Sequence, residues 1–449
     1  MPLTQELAGF CAALRYEDLP QAALPFIRTG FTDCVATLIA GRHAESVLIL
    51  RQVLAPAPGE SRLFIDLGSA SAPEAAWLNA TAAHVLDFDD AAQRGHVSAI
   101  LVPAILAEAD ACGADGRRMA TAYAAGYETW AELVRREPDH FHNHSWHPSG
   151  VLGPVAAAAA CAKLRGLAPP QTTHALAIAA SQSAGLIASF GSMTKPYHAG
   201  RAAHAGVMAT RLAEKGFTGA EDALEHPKGL LMGISPQRRV DVTSPLQAGR
   251  DWKLPRHGVN TKKYPTCFAT HRALDGMLAL LDAHGVVPGN VKSISVTTSR
   301  RNKSTLRFLQ PENALQAKFS MHFAMAAALL RRSCSLQELQ DDFVRRADVR
   351  AAMQLVEVVP EDREDPLRPG EAPQDVVLLE TADGRCLRQE VDYVRGGPEL
   401  PLLPGELFRK FESCLMAGEW RADARPLFDT LMAVDELKNT RALYALAGH

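Results

Sequence analysis

The stretch His84-Val85-Leu86-Asp87-Phe88-Asp89-Asp90-Ala91-Ala92-Gln93-Arg94-Gly95-His96 decides how the chain is read. Residues 80–86 are rich in good helix formers and hold no breaker, so the spacing predicts a helix that runs out at Arg94-Gly95. On such a helix His84, Asp87 and Asp90 share a face by i,i+3 steps, and Asp89 points elsewhere. Carboxylates this close repel one another unless cations lie opposite, so the rest of the sequence has to supply the cations.

Working outward, 449 residues with 47% hydrophobic content can bury a large core in two or three domains. A net charge of -3 gives no global basic field, which argues against nucleic acid or an anionic membrane surface as the main partner. The eight cysteines are scattered, with no Cys-x-x-Cys pair and no close Cys/His spacing, so no metal is expected and a reducing cytoplasm fits. Residues 1–15 are amphipathic rather than basic-then-apolar, unlike a signal peptide. The alanine-rich run 151–162 falls far short of the roughly 20 residues that span a bilayer. A soluble, cytoplasmic protein is expected.

Residues 1 to about 245 read as successive helices. Leu7, Phe10, Cys11 and Leu14 give one apolar stripe, and Ile27, Phe31, Cys34, Val35 and Leu38 the next. Helices are expected over 99–111, 120–135, 152–163, 171–188 and 199–214, most with small residues on the inner face that allow close axial approach. From about Thr261 the texture changes. Residues 271–284 read as a helix, 291–299 and 355–359 as strands, and 376–381 with 386–391 as a hairpin around Asp383-Gly384. Helices are expected over 314–331 and 336–344, with an exposed loop over 360–373. After Pro404 helix returns over 407–417 and 424–433. The expected division is 1–260 and 399–449 as one helical domain and 261–398 as an inserted α+β domain, a mainly α protein with no fixed-period repeat.

Three further stretches carry chemistry. In Asp139-His140-Phe141-His142-Asn143-His144-Ser145-Trp146-His147-Pro148, i,i+2 spacing does not converge ligands on a helix, so His140, His142 and His144 read as an exposed polar loop. His147 differs, because Pro148-Ser149-Gly150 and a buried alanine helix follow it. In Ser192-Met193-Thr194-Lys195-Pro196-Tyr197-His198, Lys195 and His198 are expected in a loop before a helix whose N-terminal amides attract anions. The third, Thr261-Lys262-Lys263-Tyr264-Pro265-Thr266-Cys267, lies at the expected domain boundary, where ligand sites are favoured; a basic linker and a packed small thiol are its plainer reading.

Together and in this order, these stretches resemble the MmgE/PrpD family, whose members include 2-methylcitrate dehydratase, cis-aconitate decarboxylase and iminodisuccinate epimerase. Leu14-Arg15-Tyr16-Glu17-Asp18-Leu19-Pro20 and Ala317-Lys318-Phe319-Ser320 extend the likeness over nearly the whole chain. Met193-Thr194-Lys195-Pro196 and Lys262-Lys263-x-Pro265-x-Cys267 are most similar to the epimerase-containing branch. The resemblance implies a helical domain built from both chain ends, an inserted α+β lid, a cleft between them, a homodimer and no organic cofactor. It also implies that Asp87, His96, His147, Lys195 and Lys262 are active-site positions. Ala91 stands where the family often has a hydroxyl residue, Val97 where proline is usual, and Phe323 where decarboxylase-like members place a tyrosine, which argues against that branch.

The family's substrates are small polycarboxylates whose reactive carbon lies next to a carboxylate. Cations stabilise the enolate-like charge that builds when that carbon loses its proton. Lys195 and Lys262 fit that task, and Arg94, His198, Lys263 and Cys267 are candidates for binding substrate. His96 and His147 are the expected acid/base pair, with Asp87 orienting a histidine or abstracting the proton. A dehydratase, an epimerase and a decarboxylase stay open. Two other classes compete: a magnesium-diphosphate enzyme, which would need a second aspartate-rich segment, and a non-catalytic binding scaffold.

Overall fold

The computed structural model describes residues 2–366, 368 and 370–446, apart from the side chains of residues 142 and 143. It divides into two compact units: Met1–Ser189 with Met193–Thr261 and Leu403–His449, and Phe190–Ser192 with Lys262–Leu402. The first is helical and draws on both chain ends; the second is the smaller α+β unit.

In the first unit the helices used below are α1 (Leu3–Ala13), α2 (Leu24–Gly41), α3 (Ala72–His84), α4 (Ser98–Cys112) and α5 (Gly116–Arg136). They continue as α6 (Pro148–Val151), α7 (Gly153–Arg165), α8 (Pro169–Ala180) and α9 (Thr194–Glu214). A two-residue ribbon, β1 (Ser61–Arg62) with β2 (Ser69–Ala70), closes one loop. Helix α9 packs against α3, α7 and α8, and α3 packs against α2 and α4. Small residues make this possible: α4 and α7 are buried along nearly their whole length, and alanine dominates the contacts of α7. Among the described residues one helical segment, Gln21–Gly41, is long and apolar enough to cross a membrane, a property the sequence reading passed over. Two thirds of it lies buried in this unit, where its Asp33 pairs with Lys410.

In the second unit the sheet order is β4-β3-β5-β6, with β3 (Val291–Ser299) parallel to β4 (Val356–Glu361) and antiparallel to β5 (Asp375–Thr381). The β5–β6 (Cys386–Val391) hairpin turns through Asp383-Gly384, with Gly384 at φ 87°. Helix α10 (His271–His284) packs on β5 and β6, and α11 (Met321–Arg331) packs on α10 and β4. Helix α12 (Ala347–Gln354) completes the layer against α11, and α13 (Pro404–Ala417) returns the chain to α2 in the first unit.

Several expected elements differ. The helix placed over 171–188 stops at Ala180. The one placed over 314–331 breaks at Lys318–Ser320, because the Ser320 hydroxyl accepts the Phe323 amide and starts a new helix. Of 336–344 only Asp341–Val344 is helical. Strand β4 runs on through Pro360, shortening the expected loop; residues 367 and 369 of that loop lie outside the described residues. Phe190–Ser192, expected in the helical domain, groups with the second unit, where the Phe190 and Phe319 rings lie 5.2 Å apart.

Candidate functional site

Helix α3 ends at His84 rather than near Arg94-Gly95. From there to α4 the backbone is irregular, with Asp87, Gln93 and Arg94 at φ 52°, 47° and 67°. Aspartate tolerates the left-handed region better than most residues, so the helix can stop without glycine or proline. Gly95 is required by close approach, since a Cβ there would meet Trp130 Cζ2 at 2.5 Å. The Trp130 indole N–H donates to the Gln93 carbonyl at 3.0 Å, and Ala91 forms an antiparallel bridge with Asn260. These contacts fold the segment back on itself.

The turn changes which aspartates face the histidines. Asp89, expected to point away, lies between two imidazoles: His84 Nδ1 is 3.0 Å and His96 Nδ1 2.9 Å from its carboxylate. Both nitrogens must donate, because a carboxylate only accepts, and His96 Nδ1 also lies 3.1 Å from the Asp90 carbonyl. Each ring in its neutral form therefore carries its lone pair on Nε2. His84 Nε2 accepts from Lys195 Nζ at 2.8 Å, and Lys195 also donates to Asp87 Oδ1 at 3.1 Å. His96 Nε2 is 3.7 Å from that same Asp87 oxygen.

Lys195 comes from the first turn of α9, not from a loop before it, and His198 follows one turn later. Pro196 fits there because the first helical turn needs no donor from it. His147 precedes Pro148 at the N-terminus of α6, its amide donating to the Gly185 carbonyl at 3.0 Å. Its ring stacks 5.8 Å from His84, and its Nδ1 lies 3.1 Å from His198 Nδ1. The first unit thus brings together Asp87, His96, His147, Lys195 and His198 from the expected set. It adds His84 and Asp89, which the sequence reading left out of the site.

Burial sets the protonation of this cluster. His84 is 1% and His147 2% exposed, and desolvation, reinforced at both by the Lys195 charge, pushes His84 down to about 3 and His147 well below the usual imidazole value. His198 is pushed down to about 4 by burial and then by Lys195. Burial opposes charge on Asp89, yet His84 and His96 outweigh it and hold the carboxyl well below its usual range. The cluster therefore holds an ionised Asp89, with the imidazoles of His84, His147 and His198 kept neutral near pH 7.

Asp90 is separate. It is fully buried; the Ser98 hydroxyl donates to its Oδ2, and Ser98 Oγ lies 2.7 Å from the Tyr123 hydroxyl. Lys410 of α13 donates to the Phe88 carbonyl at 2.8 Å and pairs with Asp33 at 2.5 Å, tying the segment to α2.

The other expected residues lie elsewhere. Arg94 donates to the carbonyls of Glu137 and Asp139 at 3.1 and 3.0 Å, so its guanidinium supports a neighbouring loop. Lys262, Lys263 and Cys267 belong to the second unit. There Lys262 is fully buried, Lys263 pairs with Asp275 at 3.0 Å, and the half-buried Cys267 donates its amide to the Lys318 carbonyl. Phe323 is buried in that unit's core, edge-on to Phe343. Each of His84, Asp87, Asp89 and His96 offers a metal-ligand atom within 4.8 Å of the others. Lys195 Nζ contacts two of those four residues, so a dication sharing His84 Nε2 and Asp87 Oδ1 would have to displace the ammonium.

The chain thus joins a mainly helical unit, which carries buried imidazoles, carboxylates and a lysine, to a small α+β unit. The MmgE/PrpD N-terminal domain matches residues 5–243 and the C-terminal domain residues 264–424, and the chain belongs to the MmgE/PrpD family. It is 26% identical over 398 residues to the cis-aconitate decarboxylase of Mus musculus, covering 83% of this chain and 78% of that protein. The human cis-aconitate decarboxylase is 26% identical over 355 residues, covering 76% and 72%. That of Aspergillus terreus is 23% identical over 482 residues, covering 99% and 95%. These relatives do not support the expected leaning toward the epimerase branch.

Proposed function

We propose that this protein is a lyase that transfers a proton at a carbon next to a carboxylate of a small polycarboxylate, without an organic cofactor. The observation that carries this reading is Asp89 held between His84 and His96, with Lys195 on the other nitrogen of His84. A carboxylate that fixes two imidazole tautomers directs both Nε2 lone pairs, and a neutral imidazole is a competent base near pH 7. Lys195 supplies the positive charge that favours an enolate-like transition state over the ground state. His96 and His147 form the acid/base pair, and Asp87 aligns Lys195 with His96.

The lyase direction draws on the decarboxylase relatives, so a cis-aconitate-like tricarboxylate is the first substrate to try. Loss of carbon dioxide and loss of water both pass through charge beside a carboxylate, which the same groups would stabilise. The roles of Lys262, Lys263 and Cys267 rest on the motif resemblance alone. The test is NMR in deuterated water with cis-aconitate, 2-methylcitrate, citrate and iminodisuccinate. Turnover or deuterium incorporation with one acid is expected, reduced roughly 100-fold or more in His147→Ala and Lys195→Ala. Activity unchanged in both variants would refute the assignment.

A further inference from the structure

His147 and His198 meet through like atoms. Their Nδ1 nitrogens are 3.1 Å apart, with ring centroids 5.3 Å apart, and both side chains are buried. Two imidazoles facing each other this way cannot both carry a proton on Nδ1, because two N–H bonds would then point at one another. Nor would two lone pairs be stable at that distance. One proton must lie between them, so the neutral rings adopt opposite tautomers: one bears its lone pair on Nε2, the other an N–H. Gly185 holds this arrangement from the backbone. Its carbonyl accepts the His147 amide at 3.0 Å, and at φ 139° a Cβ there would lie 3.2 Å from His198 Nδ1.

We propose that His198 is a positioning residue for His147, sharing one proton between the two Nδ1 atoms so that His147 works in a set tautomer and hands on the charge it collects. The proposal rests on the acid/base reading above. When His147 Nε2 takes a proton from the substrate carbon, the electron pair of the C–H bond stays on the substrate and His147 becomes an imidazolium. The shared proton then moves from His147 Nδ1 to His198 Nδ1. His147 is left neutral with N–H at Nε2, ready to donate, and the positive charge resides on His198. A base thus becomes an acid without keeping a second cation on His147. Return of the proton along the same path restores the starting state.

The first readout is two-bond 1H–15N NMR of histidine-labelled protein, compared for wild type, His198→Asn and His198→Phe. In wild type one of the pair should show protonated Nδ1 and the other protonated Nε2. In His198→Phe the His147 signal should leave that tautomer, and in His198→Asn the amide oxygen should restore it. On whichever acid is turned over, His198→Phe should lower kcat roughly 10- to 100-fold with little change in KM. His198→Asn should recover the tautomer but not the rate. A His147 signal identical in wild type and His198→Phe would overturn the pairing, and full kcat with an unchanged pH profile in His198→Asn would overturn the relay. Because the NMR readout needs no substrate, an intact pair without turnover of any polycarboxylate would count against the lyase assignment rather than the pairing.

Discussion

Replacing Asp90 with asparagine should stabilise the protein increasingly as pH rises. Burial first, then Asp33, pushes the Asp90 carboxyl up to about 8, with Asp89 adding to the rise and Ser98 and Lys410 opposing it. The folded chain therefore binds a proton at Asp90 that the unfolded chain, with an ordinary carboxyl near 3.8, has lost above about pH 4. A folded-state value raised in this way means stability that is present at low pH and falls through the window from about 4 to about 8. The slope is about 1.4 kcal/mol per pH unit, so the accumulated cost at pH 7 is about 4 kcal/mol, an upper figure for a buried group with charged neighbours. Asparagine has the shape of the protonated acid and needs no proton. Urea unfolding of wild type and Asp90→Asn at pH 5, 6, 7, 8 and 9 measures the difference directly. The variant should gain on wild type by roughly 1 kcal/mol per unit up to pH 8 and by nothing further above it. A difference that stays flat from pH 5 to 8, or one that shrinks, would show that Asp90 is ionised in the folded protein.

Two further outcomes follow from contacts within the first unit. Asp89→Asn puts an amide where two N–H donors now meet a carboxylate, so one of His84 and His96 must adopt the wrong tautomer; kcat should drop roughly 10²- to 10⁴-fold with the far-UV circular dichroism unchanged, and near-wild-type activity would contradict the bridging role. Gly200 lies where α9 crosses α3, and a Cβ there would be 2.1 Å from Thr81 Oγ1 and 2.7 Å from the Trp77 carbonyl. Gly200→Ala should cost about 1–3 kcal/mol by denaturant unfolding despite the better helix propensity of alanine, and a stabilised variant would refute the close crossing.

The parts of the fold governed by local pattern were legible. Helix α10 and strand β3 span the expected residues, and the Asp383-Gly384 turn and helical return after Pro404 are where turn chemistry and periodicity place them. The site was legible as a set of residue types but not as a geometry. Nothing in 80–94 announces a helix end at His84, because the break uses an aspartate in the left-handed region instead of glycine or proline. With the wrong periodicity assumed, Asp89 fell on the wrong face. The i,i+5 pairing of His84 with Asp89, natural across a terminated helix, was therefore missed. Pro196 suggests a loop, yet the first turn of a helix accepts it, so Lys195 and His198 sit on α9 rather than before it. Arg94 is spent on two backbone carbonyls of a loop, and sequence carries no record of which carbonyls lack partners.

The lysine that ties down the site segment arrives late. Lys410 meets the Phe88 carbonyl across 322 positions of sequence. During synthesis the segment with Asp87 and Asp89 leaves the ribosome long before Lys410 exists, and so does Asp33, the carboxylate that Lys410 pairs with. A nascent chain that has emerged only through α9 holds every imidazole and the ammonium of the cluster, yet its central segment has no anchor on α2. The tie between the site segment and α2 therefore waits for translation of α13.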